Sequence, residues 1–145
     1  MNKNPLIKGN VLIVLRSCSG AGKSTFAEYL EYLCAGNLDS VTCCADDYFE
    51  VDGEYKFDFT KLDQAHKWCR DKAKQAMDVE TKMVIIANTN TSRRDYKDYV
   101  SYAEKRGYVI REIVLTNPQR SKNVHNVPAD VLVKQENRLR MNLQL

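Results

Sequence analysis

The sequence predicts an α/β domain: a mostly parallel sheet of four to five strands flanked by helices, with a short C-terminal lid and helix. Three observations predict it. Short apolar runs alternate with longer stretches whose apolar residues recur at helical spacing. The runs Val11–Leu15 and Met83–Ala87 are unbroken, which suits parallel strands covered on both faces. Finally, a Gly-containing turn, Ser17-Cys18-Ser19-Gly20-Ala21-Gly22-Lys23-Ser24, joins the first run to the first helical stretch. At 145 residues the chain holds one ordinary domain, 1–145, with a core of its own.

The elements follow in order. Residues 1–9 lead into a strand over about 10–15. A helix from Lys23 to about Ala35 sets Phe26, Leu30 and Leu33 on one face, and Gly36-Asn37 stops it. A short strand over about 41–45 delivers Asp46-Asp47-Tyr48 at its C-terminal end, where open α/β sheets bind ligands. Residues 49–59 lack helical periodicity and contain Gly53, which makes them a loop with room for short strands. Thr60 to Asp63 reads as a capping-box-like start, and Leu62, Ala65, Cys69, Ala73 and Ala76 carry a helix to about Asp78. The strand Met83–Ala87 then runs into Asn88-Thr89-Asn90-Thr91. Ser92 with Asp95 opens the next helix, Tyr96, Tyr99, Val100 and Ala103 share its inner face, and Gly107 ends it. Tyr108–Leu115 is the fourth strand. A polar, basic stretch follows Thr116-Asn117-Pro118, and Pro128 opens a final helix to about Met141. Right-handed crossovers place the C-terminal ends of these strands on one edge.

Strand, glycine turn and helix in that order are the context a phosphate-binding loop requires. Backbone N–H groups of Ser19, Gly20, Ala21, Gly22, Lys23, Ser24 and Thr25 cradle phosphates at the positive end of the new helix. The expected ligand is ATP or another nucleoside triphosphate, with Lys23 on the β/γ phosphates and the Ser24 hydroxyl on Mg²⁺. Against the pattern G-x-x-x-x-G-K-[ST], Ser17 stands at the first glycine position.

Composition excludes several classes. Apolar residues at 43% and charged residues at 28% are globular values. No apolar run approaches bilayer length and Met1–Pro5 is no secretory signal, so a cytoplasmic chain with no membrane partner is expected. Five cysteines without C-x-x-C spacing imply reduced thiols rather than a disulfide framework or zinc. Cys18, inside the phosphate loop, is the one whose modification should inhibit. A net charge of +3 does not argue for nucleic acid, but its distribution is uneven. Six acids face one lysine between Asp46 and Asp58, whereas Arg111, Arg120, Lys122, Lys134, Arg138 and Arg140 make the last third basic.

With a phosphate donor in the loop, the rim must supply an acceptor site. Asp46 suits a general base that takes the proton of an attacking hydroxyl; binding Mg²⁺ through water is its rival role. Asp47 suits loop orientation through hydrogen bonds to backbone amides. Asn88 stands where a metal-binding acid would end the third strand, and either touches the acceptor side or serves as a turn residue. Arg120 and Lys122 are the lid cations available to the transferring phosphate. Arg93 and Arg94 sit against the dipole of the helix they open, which suits either holding acceptor phosphates or a solvated pair. Tyr48 and Phe49 suit stacking on an acceptor base or core packing. His66, Trp68 and His125 read as packing or incidental, and the two histidines make no metal site.

Taken together, Arg16 to Thr25, Asp46-Asp47-Tyr48-Phe49, Gly53-x-Tyr55 with His66-x-Trp68, Asn88-Thr89-Asn90 and Asn123-x-His125-x-Val127-Pro128 resemble the bacteriophage-type polynucleotide 5′-hydroxyl kinases. The pattern is similar also to a kinase-like domain of animal proteins. The resemblance implies a P-loop kinase domain moving the γ-phosphate of ATP to the 5′-OH end of DNA or RNA, in end healing or repair, with Asp46 as base. It also implies a kinase without an appended phosphatase. This chain departs at Phe49, where phage members often carry an arginine, at Asn88, where the family has an aspartate, and in a shorter lid. Two other readings of the same layout are a small-molecule kinase for sugar or nucleoside hydroxyls and a non-catalytic ATP-binding interaction module.

Overall fold

Val11–Arg16 is buried along its whole length and forms β1, an interior strand of the sheet. The computed structural model describes residues 9–34, 39–116 and 127–143. After β1 come α1 (Lys23–Cys34), β2 (Ser40–Cys43), a 3-10 turn (Ala45–Phe49) and a hairpin of β3 (Glu50–Val51) and β4 (Glu54–Tyr55). A second 3-10 turn (Phe59–Lys61) leads into α2 (Leu62–Asp78), followed by β5 (Met83–Ile86), α3 (Arg93–Lys105), β6 (Val109–Val114) and α4 (Ala129–Leu143).

The main sheet has the order β2-β5-β1-β6 with every pairing parallel. Val14 lies opposite Ile86, and Ile86 opposite Cys43, so β5 and β2 end level with one another while β1 runs two residues further, to Arg16. The segments that begin at residues 17, 44 and 87 therefore emerge on a single edge.

Alternate residues of each strand face opposite sides. Leu12, Val14, Cys43, Val84 and Ile86 pack against Ala65, Cys69, Ala73 and Met77 of α2 and Tyr96, Tyr99, Val100 and Ala103 of α3. Val11, Ile13, Leu15, Met83 and Ile85 pack on the other side against Ala27, with Phe26, Leu30 and Cys34 of α1. Two covered faces leave no polar position in Val11–Leu15 of β1 or in β5, which is why those runs are unbroken in the sequence.

Some expected boundaries move, each for a local reason. The second strand ends at Cys43 rather than Ala45, because the Ala45 N–H donates to Asn88 Oδ1 at 2.9 Å and the chain turns into the 3-10 segment. The inner face of α1 runs through Ala27 and Cys34, leaving Leu33 56% exposed. On α2 the inner face begins at Ala65 and includes Met77, and Leu62 is outside it. The cap ahead of α2 is Asp58, not Thr60: its Oδ1 accepts from the Thr60 N–H at 3.0 Å and the Thr60 hydroxyl at 2.6 Å, closing the 3-10 turn first. Ser92 does open α3 as expected, its N–H donating to Asp95 Oδ2 at 3.1 Å. The short strands about Gly53 form an antiparallel hairpin whose turn residues, Asp52 (φ 52) and Gly53 (φ 79), both take left-handed backbone. The expected stop at Gly36-Asn37 and the lid stretch lie outside the described residues. Among the described residues, no helix is long and apolar enough to cross a membrane.

Candidate active site

The phosphate loop leaves β1 at Ser17 and turns on Gly20 (φ 78) and Gly22 (φ 92), both left-handed, a conformation that a Cβ disfavours. Ser17 is different. Its backbone is not left-handed, it is fully buried, its N–H donates to the Thr89 carbonyl at 2.9 Å and its hydroxyl to the Cys18 carbonyl at 3.0 Å. The first position of the motif therefore needs no glycine here. Phe26 N–H donates to the Gly22 carbonyl at 2.9 Å, starting α1 immediately behind the turn.

Lys23 Nζ lies 3.5 Å from the Cys18 carbonyl oxygen. Burial pulls its pKa below the usual lysine value, and the Cys44, Asp46 and Cys18 side chains oppose that shift. A cavity of about 420 Å³ opens beside the loop, lined by Gly22, Thr25, Phe26, Tyr29, Leu115 and Thr116. Its aromatic walls suit the nucleoside end of a ligand whose phosphates lie on the loop.

Asp46 rides on the 3-10 turn that follows β2. Asn88 pins that turn, accepting from Ala45 N–H while its Nδ2 lies 3.7 Å from Cys69 Sγ. The turn role of Asn88 is therefore the one its side chain fills, and through it the position of Asp46. On β4, burial and then the nearby Asp46 charge push the Tyr55 phenol pKa up to about 12. Asp47 faces a second cavity, of about 230 Å³, together with Ser24, Glu28, Glu31, Thr42 and Ala87. Partial burial raises the Asp47 carboxyl pKa, with Lys72 opposing.

The aromatic pair divides. Tyr48 is partly exposed, donates to Gln64 Oε1 at 3.2 Å and lies 6.0 Å from the Trp68 ring. Phe49 is 3% exposed and belongs to the core, with Tyr48 and Phe57 edge-on to it, so its ring offers no stacking face and packing is its use. Arg93 and Arg94 are both exposed at the start of α3, on the same sheet edge. Arg120, Lys122 and His125 lie outside the described residues.

Three residues hold roles that the sequence reading did not assign to them. Arg16 is buried at the end of β1, its Nε donating to the Asn90 carbonyl at 2.9 Å and its Nη2 to the Thr91 carbonyl at 3.2 Å. Its Nη1 is 3.5 Å from Glu112 Oε2, which also accepts from the Tyr96 hydroxyl at 2.9 Å, and the guanidinium lies 5.0 Å from the Tyr96 ring centroid. Asn90, left-handed at φ 48, donates to the Leu15 carbonyl at 2.8 Å, so the β5–α3 loop is tied to the base of the phosphate loop. From the far end of the chain, Gln135 Oε1 on α4 accepts from the Ser19 N–H at 2.9 Å. An arginine closing an apolar run was a readable signal; Gln135 left none.

The donors around Ser24 fit Mg²⁺. The Ser24 hydroxyl and the Asp47 carboxylate are hard oxygen ligands on one cavity, and Ala87 supplies none. Among the described residues, no group of three or more His, Cys, Asp or Glu side chains is arranged to hold a metal. An ion here would therefore rest largely on phosphate oxygens. Desolvation pushes the Cys43 and Cys44 thiols up to about 12 and raises Cys69, which disfavours the reactive thiolate at each.

No family model matches the chain. NEDD4-binding protein 2 of Homo sapiens is 37% identical over 102 residues, 70% of this chain and 6% of that protein. Among solved structures, a chain of the Pnkp1/Rnl/Hen1 RNA repair complex superposes with a TM-score of 0.72 at 21% identity, over 99% of this chain and 48% of that one. The Mycobacterium tuberculosis APS kinase CysC, in complex with AMPPNP and APS, superposes at 0.57 with 12% identity, over 87% of this chain and 73% of that one. The chain thus spans a small part of the human protein and about half of the repair-complex chain. The fold is that of the P-loop kinases.

Proposed function

We propose that this chain is an ATP-dependent kinase domain that phosphorylates the 5′-hydroxyl end of a nucleic acid. The observation that carries the reading is that the phosphate loop after β1 and the 3-10 turn carrying Asp46 after β2 leave the parallel sheet on one edge. A phosphate cradle alone binds nucleotide; a carboxylate on the same edge gives an incoming alcohol somewhere to leave its proton.

The loop amides from Ser19 to Thr25 hold the triphosphate, and Phe26 and Tyr29 border the nucleoside. Lys23 neutralises charge between the β and γ phosphates. Ser24 and Asp47 would hold Mg²⁺, which would offset the negative charge of the phosphates. Asp46 accepts the acceptor hydroxyl proton as that oxygen approaches the γ-phosphorus in line. Arg120 and Lys122 are proposed to supply cations late in the transfer, and Arg93, Arg94 and the exposed part of Tyr48 to meet the acceptor strand.

The nucleic-acid acceptor draws support from the residue pattern read in the sequence and from superposition on an RNA repair chain over nearly all of this one. A small-molecule acceptor is the second reading, favoured by the acidic surface of Glu50, Asp52 and Glu54 beside Asp46 and by the likeness to an APS kinase. Transfer of labelled γ-phosphate to a 5′-OH oligonucleotide, set against a panel of sugars and nucleosides, decides between them; transfer to small alcohols alone overturns the proposal. Asp46→Asn should retain ATP binding and lose about 10²–10⁴-fold in transfer rate. A near-normal rate for that variant removes the base role.

A further inference from the structure

The aromatic residues that follow Asp46 do not all go inside. Phe49 belongs to the core, but Phe57 stays 55% exposed and Phe59 76% exposed, just after the β3–β4 hairpin. A single exposed apolar side chain is ordinary; two phenylalanines two positions apart, beside a candidate site, form a patch that asks for an occupant. The Phe57 ring is also held in place. It meets the Phe49 ring edge-on at 5.1 Å and lies near-parallel to the Tyr55 ring, with centroids 6.4 Å and planes 17° apart. The core thus fixes the ring while much of its surface is left to solvent. The Lys56 N–H donates to the Phe49 carbonyl at 2.8 Å, which ties the chain leading to Phe57 to the 3-10 turn that carries Asp46. Asp46 and Phe49 stand three residues apart on that turn, about 6 Å along its axis. The exposed ring therefore stands beside the turn of the proposed base.

We propose that Phe57 is a stacking platform for the 5′-terminal nucleobase of the acceptor, with Phe59 at its border. This rests on the nucleic-acid reading of the acceptor. Charge selects the occupant. Glu50, Asp52 and Glu54 are exposed on the same hairpin, and its cation, Lys56, is 3.5 Å from Glu54. Those carboxylates turn away phosphate groups and acidic partners. They complement a neutral, flat group whose rim donates, because carboxylates only accept and most nucleobases carry exocyclic N–H donors. The terminal nucleoside of a 5′-hydroxyl end meets both conditions, since it brings a base and no phosphate on its 5′ side. Every base has a π-face, so the platform selects for the presence of a base and not for its identity. A sugar alcohol has no such face, and the ring thereby separates a nucleic-acid end from small alcohols that reach the same aspartate.

Two 5′-hydroxyl oligonucleotides that differ only in whether the first residue carries its base test this on the wild-type protein. The acceptor kcat/KM should fall about fivefold to 150-fold for the abasic end, the weight of one stacked base, while the nucleotide KM stays the same. Phe57→Leu keeps an apolar contact with Phe49 and removes the flat face. It should level the two oligonucleotides at the lower value with a melting temperature near wild type, and Phe57→Trp should restore the difference. Equal kcat/KM for the two ends in the wild type, or a Phe57→Leu protein that still tells them apart, overturns the proposal. A binding measurement separates it from the kinase assignment. The Phe57 ring ¹³C resonances should shift on titration with the base-bearing oligonucleotide and stay in place with the abasic one. If no acceptor is phosphorylated but the resonances respond in this way, the kinase reading has failed and the platform stands. Resonances indifferent to the base overturn the platform and leave the exposed rings to a protein partner.

Discussion

Gln135 offers a direct test of how the phosphate loop is used. The Ser19 N–H is one of the donors that a triphosphate needs, and it donates to Gln135 Oε1 at 2.9 Å. Phosphate must take that donor away from α4. A neutral hydrogen bond contributes about 0.5–1.5 kcal/mol net, so removing the competing acceptor should tighten triphosphate binding by about two- to twelvefold. Gln135→Ala is a clean perturbation, because α4 stays anchored by the buried Leu139 and by the Arg93 N–H donating to Asn142 Oδ1 at 3.4 Å. Isothermal titration with a non-hydrolysable ATP analogue and with inorganic triphosphate measures the change; both ligands should gain equally, since the nucleoside end is far from Ser19. Weaker binding in Gln135→Ala refutes the reasoning, for it would make the side chain a phosphate ligand rather than its competitor. Unchanged binding refutes it as well, by showing that the amide never reaches the phosphate.

Two further outcomes follow from buried charge. Lys23 has a folded pKa below its unfolded value of 10.5, so between those two values the unfolded chain holds a proton that the folded one lacks, and stability rises with pH across that window. Phosphates favour the ammonium form, so in the same window nucleotide binding should take up a proton, seen as a binding enthalpy that varies with the ionisation enthalpy of the buffer; equal enthalpies in all buffers contradict it. Arg16→Met strips the Asn90 and Thr91 carbonyls of a donor and leaves Glu112, 34% exposed, without its guanidinium, which should cost about 3 kcal/mol in urea unfolding. A loss under about 1 kcal/mol would show that water replaces the arginine.

The parts of the site that were legible in the sequence are those whose chemistry is contiguous along the chain. A phosphate cradle needs successive amides, left-handed turns and a helix start, and Ser19 to Thr25 supply all of them within seven residues. Strands β1 and β5 were legible because two covered faces erase alternation. The phase of a helix was not: where α2 begins depends on Asp58 closing a turn first, and that moved Leu62 to the outside. Phe49 failed as an acceptor residue for a similar reason, since the 3-10 turn, unlike an open loop, rotates it inward while leaving Asp46 at the rim. Arg16 and Gln135 act through partners 74 and 116 positions away. No spacing in the sequence records such pairs; they exist only once the sheet order is fixed.

That distribution of charge constrains how a nucleic acid can use the site. Glu50, Asp52 and Glu54 are exposed on the β3–β4 hairpin that follows the turn carrying Asp46, so the proposed base is bordered by negative charge. A polyanion laid along the hairpin would meet three carboxylates against the single Lys56, which is paired with Glu54, so it would be repelled on balance, an effect that persists over roughly 8 Å at physiological ionic strength. Arg93 and Arg94, exposed on the same edge beyond β5, present the opposite sign. An acceptor strand that satisfies both must lead with its uncharged 5′-hydroxyl toward Asp46 and trail its phosphates over the start of α3. Such a path admits an end and rejects the interior of a chain. The acidic hairpin, which taken alone favours a small alcohol, is under this geometry a reason for end selection, and neutralising Glu50 and Glu54 together should raise binding of internal strand segments more than transfer to 5′ ends. Equal gains for both would return the hairpin to the small-molecule reading.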